Sequence, residues 1–167
     1  MTIRILNESD ARVYQKLRLE GLMKNPEAYS STYEVESKFT METIVERMNQ
    51  TDDKFTLGAF DEDDGLIGIV RFVRETGIKI RHKANIYGMY VSSEKRGQGA
   101  GKALLEALIK IAKETEGLER LYLGVISDNV TAKELYIRLG FKTYGIEQNA
   151  LKTLGQYSDE ELMVLVL

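Results

Sequence analysis

Cysteine is absent from the 167-residue sequence, and histidine occurs only once, at His82. The absence of cysteine excludes disulfide bonds, thiolate metal sites and a cysteine nucleophile. A single histidine cannot form the histidine clusters that commonly hold transition metals. We therefore expect the protein to use no metal.

Long apolar runs and an excess of positive charge are also missing. No stretch approaches the roughly 20 apolar residues that span a bilayer. The opening residues, MTIRILNESD, lack the apolar core of a signal peptide. The formal net charge of -3 does not suggest nucleic-acid binding, which usually shows as a basic excess. These features predict a cytoplasmic protein that binds neither membranes nor nucleic acid.

The sequence contains the ordinary mixture of a globular protein, with 43% hydrophobic and 29% charged residues. Its length predicts a single domain over residues 1–167. Apolar periodicity predicts a first strand and helix, an ambiguous segment at residues 27–39, and a helical piece capped by Thr40. Two β-rich runs around the acidic turn at residues 61–65 predict an antiparallel hairpin. Strands and helices then alternate, so we expect an α/β fold with a mixed sheet and helices on its faces.

Three glycines lie within five residues in the segment RGQGAGK, which follows a predicted strand and precedes a predicted helix. A nucleotide-binding P-loop would need a glycine where Arg96 stands and a hydroxyl residue where Ala103 stands. A dinucleotide fingerprint would need its third glycine at Lys102. Both spacings fail, and the remaining pattern is R-x-x-G-x-G, formed by Arg96, Gly99 and Gly101.

Small residues at this position leave the backbone N–H groups of residues 98–102 free to converge on a phosphate. The start of the following helix adds partial positive charge. Arg96 and Lys102 offer further cationic contacts. The alternative interpretation is a solvated turn between a strand and a helix.

A second pattern, NVTAKELYIRLGF, begins at Asn129. Its apolar residues, among them Leu135 and Tyr136, share one helical face, so Tyr136 is open to interpretation as a core aromatic. Asn129 is equally open to interpretation as a helix N-cap.

Taken in order, the strand NIYGMYV, the glycine segment and this second pattern resemble the GNAT superfamily of acyl-CoA-dependent N-acetyltransferases. Arg96, Gly99 and Gly101 match its motif [Q/R]-x-x-G-x-[G/A]. Six further residues match the pattern N-x-x-A-x-x-[LF]-Y-x-x-x-G-F: Asn129, Ala132, Leu135, Tyr136, Gly140 and Phe141. The resemblance implies a central mixed, mostly antiparallel sheet that is splayed in its middle, with helices on both faces.

The resemblance also implies acetyl-CoA as the acetyl donor. Its pyrophosphate would lie on Arg96, Gly97, Gln98, Gly99, Ala100, Gly101 and Lys102. Its pantetheine arm would pair with the strand at Met89, Tyr90 and Val91 and approach Asn129, with Tyr136 near the sulfur as the general acid.

The general base and the acceptor site are less defined. Glu34 and His82 are the two candidate bases, although either is also compatible with a solvated surface position. Tyr29 and Tyr33 are candidate acceptor contacts, with core packing as the alternative. Asp159, Glu160 and Glu161 are interpreted as a polar approach to the last strand, with attraction of a cationic amine as the alternative.

The resemblance implies transfer of an acetyl group to a primary amine of a small molecule, an amino acid or a peptide. A homodimer is compatible with it. The alternative hypotheses are a module that binds acyl-CoA without turnover and, disfavoured by the failed P-loop spacing, a nucleoside triphosphate binder.

Overall fold

Seven strands form one sheet in the computed structural model, which describes residues 1–167. The strands are β1 (Thr2–Ile5), β2 (Lys54–Phe60), β3 (Leu66–Arg74), β4 (Lys83–Val91), β5 (Arg120–Ile126), β6 (Lys142–Thr153) and β7 (Gln156–Val166). The helices are α1 (Ala11–Lys24), α2 (Tyr33–Glu36), α3 (Met41–Met48), α4 (Ala100–Glu114) and α5 (Val130–Arg138). None of these helices combines the length and apolarity that crossing a membrane requires.

The strand order is β1-β2-β3-β4-β5-β7-β6, and every neighbouring pair except β4 and β5 is antiparallel. This arrangement confirms the predicted mixed, mostly antiparallel sheet with helices on both faces. The acidic turn joins β2 and β3 in the predicted hairpin. The ambiguous segment overlaps a 3-10 turn, Pro26–Ala28, and contains the single-turn helix α2.

The two faces of the sheet carry separate apolar clusters. On one face, Leu104, Leu105 and Leu108 of α4 pack with residues such as Phe72. On the other, Tyr14 and Leu17 of α1 pack with Ile69, Tyr90 and residues of α3. We call these the α4 face and the α1 face. Adjacent residues of a strand point to opposite faces, so each strand contributes to both clusters.

A buried ion pair joins the helices of the α1 face. Glu36 is 1% exposed, and its carboxylate accepts hydrogen bonds from Arg18 Nε at 3.1 Å and Nη2 at 2.9 Å. Arg47 Nη2 lies 3.7 Å from the same carboxylate, so one acidic side chain of α2 connects α1 and α3. Burial acts to raise the pKa of Glu36, but the hydrogen bonds and charge of Arg18 outweigh it, and the pKa is lowered overall.

Replacing Glu36 with Gln should lower the free energy of unfolding by about 3–5 kcal/mol, because it leaves the Arg18 guanidinium buried without its counter-charge. The stabilisation from the Glu36 carboxylate is present above its ordinary pKa and is lost as pH falls through its lowered pKa. Urea unfolding of the wild type and E36Q across acidic pH measures both effects. The matched control is Glu34→Gln, an exposed carboxylate in the same helical turn, expected to change stability by less than about 0.5 kcal/mol. Equal effects of the two substitutions would contradict the assignment.

Candidate active site

The sheet opens between β4 and β5. These strands pair in parallel at three positions only, Lys83 with Arg120, Ala84 with Leu121 and Asn85 with Tyr122, and then diverge. The divergence coincides with a bulge in β4, where Gly88 and Met89 oppose the single residue Val70 of β3. Gly88 has φ +59°, a conformation that residues with a side chain seldom adopt. The bulge thus bends β4 away from β5 and creates the β4–β5 gap.

A cavity of about 560 Å³ lies at this gap and reaches into both faces of the sheet. Its lining is mainly aromatic and aliphatic, with four charged residues. The charged residues are Arg18, Arg47, Arg71 and Glu160, and the aromatic residues are Tyr14, Tyr29, Tyr87, Tyr122, Tyr136 and Tyr144.

The glycine segment wraps around the start of α4. Gly97 and Gly99 have φ of +77° and +84°, and a Cβ atom at either would meet no atom within 4 Å. The N–H groups of Ala100, Gly101 and Lys102 are in the first turn of α4, where no earlier helical carbonyl can accept from them. Open space, free donors and the positive end of a 15-residue helix fit an anionic group such as a pyrophosphate.

The two cationic side chains of this segment point elsewhere. Arg96 donates from Nε to the Val91 carbonyl at 3.1 Å and from Nη2 to Asn25 Oδ1 at 2.8 Å, so it fastens the loop to β4 and to the end of α1. Lys102 is exposed and lies 3.5 Å from Glu106 in the next turn of α4. The phosphate-binding capacity of the segment is therefore mainly that of its backbone.

The backbone of β4 is accessible at the gap. The Met89 carbonyl accepts a hydrogen bond from Tyr29 Oη at 3.2 Å, and the Val91 carbonyl accepts the bond from Arg96. Tyr90 pairs with Ile69 of β3, and its side chain lies in the α1-face cluster, where its hydroxyl donates to Glu20 at 3.0 Å. Met89 and Val91 thus present their peptide groups to the gap, whereas Tyr90 has a packing role.

Helix α5 brings two polar side chains to the cavity. Asn129 accepts a hydrogen bond from Ala132 N–H at 3.2 Å, which confirms the predicted N-cap, and it also contributes to the cavity lining. Tyr136 packs edge-to-face on Phe141 within the α4-face cluster, yet it also lines the cavity. Burial raises the pKa of Tyr136 to about 12.

Comparison with known proteins assigns this arrangement to a family. Residues 3–162 match the acetyltransferase (GNAT) domain family, which covers nearly the whole chain. The chain belongs to the GNAT family. A structure from Salmonella typhimurium with its cofactor acetyl-CoA superposes with a TM-score of 0.86 at 20% identity, covering 100% of this chain and 94% of that one. At that identity the likeness concerns the fold.

Curated relatives of this GNAT chain match shorter segments. A spermine/spermidine N(1)-acetyltransferase from Bacillus subtilis is 36% identical over 56 residues, 34% of this chain and 37% of that protein. An L-methionine sulfoximine/L-methionine sulfone acetyltransferase from Pseudomonas aeruginosa is 33% identical over 81 residues, 48% of this chain and 46% of that protein. The matches thus span about a third to a half of these relatives.

Of the residues predicted as general base or acceptor contact in this GNAT chain, only one lines the cavity. Tyr29 lines the cavity, as the acceptor hypothesis requires. Tyr33 and Glu34 lie on the exposed side of α2, and neither contributes to the lining. His82 is in the turn before β4, where its carbonyl accepts from Glu119 and Arg120 N–H groups, and it also lies outside the lining. The structure therefore does not bring Glu34 or His82 to the gap.

Glu160 of β7 lines the cavity. This position favours the alternative interpretation of the acidic residues before the last strand, attraction of a cationic amine, over a purely polar approach to that strand. The neighbouring Glu161 forms an ion pair with Lys133 of α5, so Glu160 points to the opposite, α1 face. A side chain at Gly124 of β5 would overlap the Glu160 carboxyl group, and glycine therefore makes room for it. Burial, and then the charge of Glu147, raises the pKa of Glu160.

No signal along the chain isolates Glu160, because it follows another acidic residue and precedes Glu161. The alternation of β7 would separate the two glutamates onto opposite faces. Which of them meets the gap depends on the register of β7 against β5, where Glu160 pairs with Ile126.

Substituting Gly99 with Ala should weaken acetyl-CoA binding roughly tenfold, about 1.4 kcal/mol, because the methyl group enters the space in front of the α4 N-terminus. The control is Gly155→Ala in the β6–β7 turn, which has nearly the same φ, +83°, and the same open surroundings. Both substitutions should cost about 1–2 kcal/mol of stability through backbone strain. Calorimetric titration with acetyl-CoA measures the difference, and equal affinities of the two variants would contradict the placement.

Proposed function

We propose that the protein transfers the acetyl group of acetyl-CoA to a primary amine of a small molecule, an amino acid or a peptide. The amine attacks the thioester directly while both substrates are bound. The observation that carries the proposal is the position of the cavity. It crosses the sheet where β4 and β5 diverge, with Tyr136 on the α4 face and Glu160 on the α1 face. Met89, which lines the cavity, lies beside Gly101 of the glycine segment.

Each face of the cavity then has its own substrate. The glycine segment, residues 96–102, binds the pyrophosphate of acetyl-CoA mainly through backbone N–H groups. Met89 and Val91 offer their peptide groups to the pantetheine arm, and Asn129 lies beside it. The acceptor enters from the α1 face, where Tyr29 forms part of the lining.

The reaction requires three catalytic contributions from the protein: a general base, stabilisation of the oxyanion and a general acid. Glu160 accepts the proton from the acceptor ammonium, and the neutral nitrogen forms a bond to the acetyl carbon. A backbone N–H at the β4 bulge stabilises the negative charge that develops on the acetyl oxygen. The C–S bond breaks, and Tyr136 donates its proton to the departing thiolate, which leaves as the free thiol of coenzyme A. The attacking nitrogen loses its second proton as the amide forms, and that proton restores the Tyr136 phenol; the proton on Glu160 is released to solvent.

The electrostatics favour these roles. A phenol whose pKa is about 12 is protonated at neutral pH, so Tyr136 has a proton to donate. Burial and the charge of Glu147 raise the pKa of Glu160, so its carboxylate binds a proton more strongly than that of an ordinary glutamate, which suits a general base. Glu160 therefore replaces Glu34 and His82 as the proposed base.

The activities named for these relatives leave the acceptor open. The Bacillus subtilis protein is a polyamine acetyltransferase, and the Pseudomonas aeruginosa protein acts on amino-acid derivatives. Both acceptors contain an amine, which is the coarse class proposed here. We propose further that residues 1–167 act as one N-acetyltransferase domain. The cytoplasmic location and the homodimer stay predictions.

Measuring thiol release from acetyl-CoA with a panel of amines tests the proposal. Turnover with at least one amine is expected, together with thermal stabilisation by coenzyme A. Binding of coenzyme A without turnover of any amine would support the module that binds without catalysis. Stabilisation by ATP with magnesium, and not by coenzyme A, would contradict the donor assignment.

Replacing Tyr136 with Phe should lower kcat about 100-fold or more, because the thiolate then leaves without its proton donor. The dissociation constant of acetyl-CoA should change little, since the ring and its packing on Phe141 are kept. Steady-state kinetics and acetyl-CoA titration separate these quantities. Phe141→Leu, which alters the same packing without removing a hydroxyl, is the control. Unchanged kcat in Y136F would return Tyr136 to a purely structural role.

Replacing Glu160 with Gln should lower kcat/KM about 100-fold or more and remove the acid limb of its pH profile. In the wild type, activity falls as pH drops through the raised pKa of Glu160, because the protonated carboxyl cannot accept a proton. Glu147→Gln is the matched variant: it removes the neighbouring negative charge, so the acid limb should move to lower pH while activity persists. An acid limb unaffected by either substitution would exclude Glu160 as the base.

A further inference from the structure

Three arginines line the acceptor side of the cavity: Arg18 of α1, Arg47 of α3 and Arg71 of β3. We call them the arginine cluster. The carboxylate that contacts this cluster is Glu36, which binds Arg18 through two hydrogen bonds and lies 3.7 Å from Arg47. Glu36 thus offsets the charge of Arg18 and Arg47 but has no contact with Arg71, and this end of the cavity keeps an excess of positive charge.

Arg71 is the member without a protein partner. It is half-buried and lies beside Tyr87 of β4 in the sheet, and its side chain forms neither an ion pair nor a hydrogen bond within the chain. Its neighbours Val70 and Phe72 belong to the α4-face core, so Arg71 points to the α1 face. A partly desolvated charge without a counter-charge is costly, and such charges in proteins are normally paired.

Arg18 provides a second unsatisfied donor at the same place. Its side chain is 10% exposed, and its Nη1 is buried without a hydrogen-bond partner. That nitrogen would be 3.8 Å from a Cβ atom at Gly88, so it lies directly beside the bulge of β4. Because Glu36 and the ring of Tyr29, 4.5 Å away, hold the guanidinium in position, its charge is fixed next to the proposed site of transfer.

The opposite end of the acceptor side has the opposite charge. Glu160 lies on β7, beyond β4 and β5 from Arg71, and no arginine or lysine is within salt-bridge distance of it. An acceptor in this cavity therefore meets guanidinium groups at one end and a carboxylate at the other. A molecule with an anionic group and an ammonium group complements both ends.

We propose that the acceptor is a primary amine that also carries a carboxylate, as in a free amino acid. Arg71 binds the carboxylate, Arg47 and Arg18 add positive charge, and the ammonium group faces Glu160. Planar guanidinium groups match carboxylates in a two-pronged geometry, which favours this class of anion. The inference rests on the proposed function and narrows its acceptor.

The same charges disfavour a polyamine. An extended polyamine that presents one ammonium to Glu160 has to place its other cationic groups elsewhere, and those that enter the arginine cluster meet like charges. The match to a spermine/spermidine acetyltransferase covers 34% of this chain and does not decide the acceptor.

The test uses the purified chain, acetyl-CoA and matched pairs of acceptors: each L-amino acid as the free acid and as its α-carboxamide, with spermidine as a polycationic comparison. Thiol release gives kcat and KM for each. For the preferred amino acid, we expect kcat/KM at least about tenfold higher for the free acid than for its carboxamide and for spermidine.

Substituting Arg71 with Gln should raise the KM of the free acid about 10- to 100-fold, with smaller changes in kcat and in the KM of the carboxamide. R71K should restore part of the affinity, because it keeps the charge but not the planar fork. Arg12→Gln, at an exposed arginine of α1 outside the cavity, is the control and should leave all parameters unchanged. Thermal unfolding establishes that each variant is folded.

Preference for spermidine, equal use of free acids and carboxamides, or equal loss of both in R71Q would overturn the inference while leaving acetyl transfer to amines intact. Absence of thiol release with every amine would contradict the proposed function and, with it, the inference. A preference for free acids that disappears in R71Q supports the assignment.

Discussion

The short pairing of β4 with β5 is the constraint on which the rest of the structure depends. Three residue pairs hold the strands together, and the bulge at Gly88 then turns them apart. A sheet that stayed closed would separate its two faces completely. Because it opens, a group bound at the start of α4 can reach a group bound against α1, and peptide groups of β4 remain available to a ligand. The cavity therefore exists because the strands diverge, and the side chains that line it determine only its chemistry.

The α4 face and the α1 face of the sheet present different chemical groups to the cavity. The α4 face supplies a rigid helix start, glycines and a phenol of high pKa, which suit a large anionic donor. On the α1 face, α1, α2 and α3 are joined through the buried Glu36, and the cavity lining on this face is charged. Because Glu36 holds Arg18 and approaches Arg47, one ion pair serves both the stability of this face and its electrostatic character. Under the proposed function, substitutions in α1 to α3 can thus change the preference for the acceptor without altering the groups proposed to bind acetyl-CoA.

Local patterns predicted much of the fold, including the elements on either side of the glycine segment. The β2–β3 hairpin, the strand before the glycines, the Thr40 and Asn129 caps and helix α4 all follow from turn residues, periodicity and capping. The acceptor side could not be predicted in this way. Glu36 stands three residues from exposed Tyr33 in a one-turn helix, and only tertiary packing buries it. Glu160 and Arg71 reach the gap through strand register, which pairs residues far apart in the sequence.

The carbonyl groups of Met89 and Val91 are already engaged in hydrogen bonds, and this affects what can pair with β4. Each already accepts a hydrogen bond from a side chain of the protein, Tyr29 in one case and Arg96 in the other. A ligand that pairs with this strand exchanges one set of hydrogen bonds for another, so its net gain from these bonds is small. The same side chains shield a strand edge that would otherwise be free to recruit a strand from another molecule. Under the proposed function, the same two residues, Tyr29 and Arg96, therefore affect both the affinity for the donor and the protection of this strand against aggregation.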